Sequence, residues 1–179
     1  MPIFAGIDPG VNGAIAIIRE DGSLVTEALA WEDVGRSKPE VDVLHAMKFL
    51  KDNKVTNVCL EHVQFMGSAE TSGFTAARLI SIYRELLGAV KMFRSYDSSV
   101  DYCTVTPKKW QNKIIGEIEK IDKEKKDKRR KRIKAAVSEF CRKEYSNDFD
   151  RIVSDNTKIT AEGMFDAVAI AHWGMQNGF

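Results

Sequence analysis

The chain is poor in the residues that staple or interrupt small folds. It has three cysteines, Cys59, Cys103 and Cys141, far apart and odd in number. Such a set offers neither a disulfide framework nor the paired spacing of a zinc site, so all three read as reduced thiols of a cytoplasmic-type compartment. Four prolines and twelve glycines in 179 residues form no linker and no low-complexity stretch. No apolar run approaches the roughly 18–20 residues needed to cross a bilayer. The opening Met1-Pro2-Ile3-Phe4-Ala5-Gly6-Ile7-Asp8 has no basic stretch ahead of a long apolar one, so it reads as a strand and not as a secretion signal. With 44% hydrophobic and 30% charged residues, the expectation is a single compact, soluble domain over residues 1–179, with no membrane partner.

Net charge is also nearly absent, at +1. That balance hides an asymmetry. Residues Glu119–Lys134 hold ten Lys/Arg against four Asp/Glu, a local excess of six positive charges, so the remainder is acidic by five. A chain basic in one place and acidic elsewhere fits an enzyme that grips a polyanion with one part and binds metal with another.

Hydrophobic spacing gives the order β-β-β-α-β-α-β-α-α-α. Ile3–Ile7 and Ala14–Ile18 are short apolar runs separated by Asp8-Pro9-Gly10-Val11-Asn12-Gly13, and Glu20-Asp21-Gly22 leads to a third strand, Leu24–Trp31. Two successive hairpins make an antiparallel meander. Pro39 is placed to open a helix bearing Val43, Leu44, Met47 and Leu50. Thr56–Val63 is the fourth strand. Residues 71–90 form the best-defined helix, with Leu79, Ile82, Tyr83, Leu86, Leu87 and Val90 on one face. Asp101–Thr106 is the fifth strand, followed by helices at Lys108–Ile115 and Lys125–Tyr145. Asn147–Lys158 reads as polar loop, and Thr160 as the cap of a last helix. The fold class expected is α/β, a five-stranded mixed sheet with helices on both faces.

Four acids stand out by context. Asp8 ends an apolar strand, Glu61 interrupts Val58-Cys59-Leu60-Glu61-His62-Val63, and Asp166 sits within Met164-Phe165-Asp166-Ala167-Val168. An ionised carboxylate in such surroundings is costly unless a cation or hydrogen bonds compensate it. Glu162 lies four residues before Asp166, on the same helix face. The first and fourth strands are natural neighbours, so Asp8 and Glu61 are expected to meet at the sheet centre. Magnesium takes oxygen ligands in octahedral geometry. Two such ions about 4 Å apart drive phosphodiester hydrolysis. Carboxylates from distant segments suit that chemistry.

These residues carry a resemblance. Gly6-Ile7-Asp8-Pro9-Gly10 looks like the first motif of the RuvC-type Holliday junction resolvases. Leu60-Glu61-His62-Val63 with Phe65-Met66 resembles the second motif, and Phe165-Asp166-Ala167-Val168-Ala169-Ile170-Ala171 the last. Thr106-Pro107-Lys108-Lys109-Trp110, ahead of a basic helix, resembles the family's basic region. The match runs in order through nearly the whole chain, and the compact length resembles bacteriophage versions. The resemblance implies a ribonuclease H-like fold, a homodimer, and magnesium- or manganese-dependent cleavage of branched DNA by paired symmetric nicks at four-way junctions. It implies Asp8, Glu61 and Asp166 as metal ligands. The family's fourth ligand, an acid or histidine, lies three residues before the last aspartate, and here that position is Gly163. Glu162 is the nearest acid and Asp155 the alternative.

DNA contacts follow from the same reading. Phe65 resembles the family's aromatic wedge, which stacks on junction bases for roughly 1–3 kcal/mol; it reads equally as cover for the sheet edge. Lys108 and Lys109 are candidates to contact the scissile phosphate and share with Lys113 the plainer reading of backbone binding. Lys125, Lys126, Lys128, Arg129, Arg130 and Arg132 form a sequence-independent phosphate grip, or a solvated helix face. The polar stretch Ser68–Gly73 reads as a phosphate-holding helix start or as a plain cap. Two other functions stay open: a looser nuclease cutting forks, flaps and three-way branches, and a junction-binding protein that does not cleave. The actin-like ATPase and sugar kinase fold opens with a similar turn, but it needs two domains around a nucleotide, and 179 residues are too few; no nucleotide cofactor is expected.

Overall fold

The computed structural model describes residues 2–33, 35, 39–63, 73–119, 121, 125–155 and 157–178, with backbone alone at Phe74, Lys126, Lys158 and Ile159. In chain order the elements are β1 (Phe4–Asp8), β2 (Ala14–Ile18), β3 (Leu24–Ala28), β4 (Trp31–Glu32), β5 (Glu40–Val41), α1 (Val43–Asp52), β6 (Asn57–Glu61), α2 (Gly73–Tyr96), β7 (Asp101–Val105), α3 (Pro107–Ile115), α4 (Lys126–Glu144), α5 (Ser146–Asp155) and α6 (Lys158–Asn177). The main sheet has the order β3-β2-β1-β6-β7. The β3-β2-β1 half is the expected antiparallel meander. β1, β6 and β7 run parallel, so all three deliver their C-terminal ends, and the loops that follow, to one edge.

Strand alternation sorts the side chains into two cores. Ala5, Ile7, Ile15, Ile17, Val58 and Leu60 point to the layer that packs against α1 and α2, with Ile82, Leu86 and Val90. Ala14, Ala16, Ile18, Cys59 and Val105 face α3, α4, α5 and α6. Asp8 and Glu61 share parity with this second set, so both carboxylates turn toward α6. The cysteines are free thiols; Cys59 and Cys103 are register partners with sulfurs 3.5 Å apart.

Helix α6 is buried on nearly every side, as a helix sandwiched between a sheet and other helices must be. It reaches the sheet through small residues. A Cβ placed on Gly6 of β1 would fall 2.2 Å from the carbonyl oxygen of Ala167 and 2.3 Å from the nitrogen of Ala171. Only glycine permits that approach, which carries Asp166 to the edge where Asp8 and Glu61 emerge. On its other side, buried His172 is held between the Tyr145 hydroxyl at 2.6 Å and Gln176 at 2.8 Å.

Several boundaries differ from expectation. The third strand stops at Ala28, and Trp31–Glu32 pairs instead with Glu40–Val41 in a separate ribbon. Helix α1 starts at Val43, capped by the Asp42 carboxylate, which accepts from the His45 nitrogen, and not at Pro39. Thr157, not Thr160, caps α6. The stretch Asn147–Lys158, expected as loop, holds α5. Its Asn, Asp and Ser content argues against a helix on propensity, but Phe149 and Ile152 are buried one turn apart. Phe149 stacks on Phe165 with centroids 4.9 Å apart, an arrangement worth about 0.5–1.5 kcal/mol beyond area burial. Tertiary packing overrides local preference there. No described helix is long and apolar enough to cross a membrane.

Candidate active site

One residue beyond the paired Ile7 and Leu60, the parallel strands end in Asp8 and Glu61. The Asp8 carboxylate accepts from the Gly10 nitrogen at 3.1 Å, while the Gly13 nitrogen donates to the Gly10 carbonyl. This local turn holds Asp8 at the mouth of the strand. Glu61 is fixed from the opposite side: the indole Nε1 of Trp110, a fully buried residue of α3, donates to its Oε2 at 2.6 Å. Asp166 comes from α6, and the ammonium of Lys134, on α4, donates to its Oδ2.

These carboxylates sense one another. Burial pushes Asp8 up to about 7, with repulsion from Asp166 adding to it and Lys134 and the Gly10 hydrogen bond pulling the other way. Burial raises Glu61 to about 8, again with repulsion from Asp8, against the Trp110 hydrogen bond. Asp166 is raised as well, by burial first, with Lys134 opposing. Groups so destabilised in their charged forms call for a cation. Every donor is a carboxylate oxygen, the chemistry that suits magnesium or manganese and not a soft metal. As the side chains stand, no three such donors among the described residues close on a single point, and Lys134 lies against Asp166.

The helical position three residues before Asp166 is closed to a side chain. A Cβ at Gly163 would lie 1.9 Å from the carbonyl oxygen of Asn12, so the turn after β1 seats directly on that helical position and leaves no room for a side chain. Glu162 is partly buried and acts on both Asp166 and Lys134. Asp155 is exposed at the end of α5.

The basic residues separate into groups. Lys108, Lys109 and Lys113 are exposed on α3, which starts at the carboxylate edge of the sheet. The Lys109 ammonium sits over the Trp173 ring, 5.3 Å from its centroid. Lys125, the N-cap of α4, and Lys128, Arg129 and Arg130 on that helix are exposed. Arg129 and Arg132 donate to the carbonyls of Ile118 and Glu119, tying α4 to the segment before it. Arg130 acts on Asp8 and Asp166. Phe65 and the side chain of Lys126 lie outside what the structure describes, as does most of Ser68–Gly73. Lys134 is the residue at this carboxylate cluster that the sequence reading did not single out. Its signal is register: it stands three residues before Val137 and seven before Cys141, both buried, and so on the inward stripe of an otherwise solvated basic helix.

Comparison of the sequence with protein-family models and with curated proteins finds no match. Comparison of the structure does. A Thermus thermophilus RuvC structure in complex with Holliday junction substrate aligns over 98% of this chain and 96% of its own, with a TM-score of 0.54 at 16% identity. A second Thermus thermophilus RuvC structure aligns over the same shares with a TM-score of 0.53, also at 16% identity. This is the RuvC fold. The ribonuclease H-like sheet expected from the motifs is therefore present, and its motif carboxylates Asp8, Glu61 and Asp166 lie together at one edge of it.

Proposed function

We propose that this chain is a divalent-metal-dependent endonuclease for branched DNA, and that it resolves four-way junctions as a homodimer by paired symmetric nicks. The observation that carries the reading is the meeting of Asp8, Glu61 and Asp166 at one edge of a RuvC fold, each with its proton affinity raised. A RuvC of that fold is seen in complex with Holliday junction substrate, which supports branched DNA as the substrate class.

In this reading Asp8, Glu61 and Asp166 hold magnesium or manganese, with Glu162 beside them. The bound ion supplies Lewis-acid polarisation of the phosphate and acidifies water. The chain does the rest. Trp110 and the Gly10 amide fix two carboxylates in orientation. Lys134 and Arg130 put positive charge where charge develops on the phosphate. The exposed face of α4 and Lys108, Lys109 and Lys113 hold the backbone without reading bases, so affinity falls steeply with salt. A C2 pair of such sites matches the near two-fold symmetry of a four-way junction.

The test is a cleavage panel with purified protein and magnesium or manganese, on four-way junctions, three-way forks, flaps and linear duplex. Symmetric paired nicks limited to four-way junctions support resolution. Equal cutting of every branch makes the protein a looser structure-selective nuclease. Junction binding without nicking makes it a non-cleaving binder. Asp8→Asn is expected to bind junctions and leave them intact; nicking by that variant overturns the site assignment.

A further inference from the structure

We propose that Lys134 is a built-in counter-cation of the carboxylate cluster, competing with the divalent ion for Asp166 and thereby setting how tightly the site takes metal. The inference rests on the metal-site reading above and adds a residue that neither the motifs nor the fold assigns.

The geometry singles this lysine out. Its ammonium donates to Asp166 with the two side chains only 25% and 13% exposed, whereas Lys128, Arg129, Arg130 and Lys131 on the preceding turns are exposed. The same charge acts on Asp8, Glu61 and Asp166, and Glu162 acts on it in turn. A single ammonium, in contact with Asp166, is thereby coupled by charge to the other two acids proposed to hold metal and to Glu162 beside them. Withdrawing an ammonium from water is costly and is offset only by close pairing. The Asp166 carboxylate supplies that pairing.

An Asp166 oxygen bonded to an ammonium is not available to a metal ion on that lone pair. A metal ion that takes Oδ2 on that side displaces the lysine. Lysine is suited to this, being a compact charge on a flexible four-carbon stem. It has somewhere to go: a groove of about 970 Å³ between α4, α5 and α6 is lined by Lys134 itself with Arg130, Lys131, Arg142 and Glu162. An ammonium turned into that groove stays beside the site, next to Arg130, within reach of substrate phosphate. The device keeps repelling carboxylates neutralised and raises the metal concentration needed to load them.

The test measures metal binding and not turnover. Chelator-stripped protein is titrated with Mn2+ by calorimetry, comparing wild type, Lys134→Met, Lys131→Met and Asp8→Asn. The expectation is roughly tenfold tighter Mn2+ binding by Lys134→Met, the scale of effects from partners of metal ligands, with Lys131→Met near wild type and Asp8→Asn weakened. Lys134→Met is also expected to melt below wild type in chelator and to recover in saturating Mn2+. Equal or weaker Mn2+ binding by Lys134→Met, with Asp8→Asn still impaired, overturns the competition while leaving the metal site standing. Failure of wild type to bind Mn2+ at all overturns both. If Lys134→Met does not fold, Lys134→Gln keeps a polar head without the charge and carries the same expectation.

Discussion

The carbonyl oxygen of Asn12 lies 1.9 Å from where a Cβ on Gly163 would stand. The turn that aims Asp8 and the helix that carries Asp166 are thereby locked together, backbone against backbone. The same contact closes the position at which the sequence resemblance implies a fourth ligand. Restoring an acid there, Gly163→Asp, is therefore expected to damage the fold and not to improve the site. Overpacking of this kind costs about 1–3 kcal/mol, a fall in melting temperature of roughly 2–12 °C for a domain of this size. Gly163→Ala should fall similarly. A Gly163→Asp protein with wild-type melting and tighter metal binding would show that the turn yields easily.

Trp110 invites a cleaner dissection. The indole is fully buried, and its one polar atom donates to Glu61. Trp110→Phe retains most of the apolar bulk and deletes the donor. Partners that orient metal ligands typically contribute 10–100-fold in metal affinity or activity, so a loss of about that size is expected in Mn2+ binding and in nicking. Melting in chelator should change far less than for Trp110→Ala. Unaltered metal affinity in Trp110→Phe would mean that Glu61 keeps its orientation without the indole.

Much of this arrangement is legible in the sequence. Acids interrupting apolar runs locate Asp8, Glu61 and Asp166, and period-two alternation turns the first two toward the same face. What is not legible depends on contacts between distant segments. Gly163 reads as a missing ligand until Asn12 is seen above it. Helix α5 is hidden because Phe149 and Ile152 are its only buried apolar residues, and Phe165, on which Phe149 stacks, lies beyond the next loop. Lys134 is masked by the basic residues around it, although its register with Val137 and Cys141 distinguishes it. Thr160 and Pro39 are misleading for a simpler reason: other residues nearby, Thr157 and Asp42, offer the caps that the backbone takes.

The carboxylates predict a pH signature. The folded protein holds Asp8 near 7 and Glu61 near 8, through burial first and mutual repulsion second, against roughly 4 for an unfolded carboxylate. A group raised on folding contributes stability that is fully present below its unfolded value and is lost as pH rises through its folded one. Melting in chelator is therefore expected to decline between about pH 4 and pH 8 more steeply for wild type than for Asp8→Asn, which cannot titrate there. Saturating Mg2+ should flatten the difference, since bound metal favours the ionised forms. Identical slopes for the two proteins would place the raised proton affinity elsewhere.

Position favours Glu162 over Asp155 as the fourth acid. Glu162 stands one turn before Asp166 on the same face of α6 and acts on both Asp166 and Lys134. Asp155 ends α5 in solvent, where its carboxylate accepts from the Ser154 hydroxyl at 2.9 Å. Glu162→Gln is therefore expected to weaken Mn2+ binding and nicking, and Asp155→Asn to leave both near wild type. Because Glu162 also acts on Lys134, its removal should loosen the lysine. The tightening of Mn2+ binding brought by Lys134→Met should then be smaller in the Glu162→Gln background than in wild type, the mark of residues in one network. Simple additivity would mean that Glu162 acts on the metal alone, and the reverse order of Glu162→Gln and Asp155→Asn would move the fourth ligand to α5.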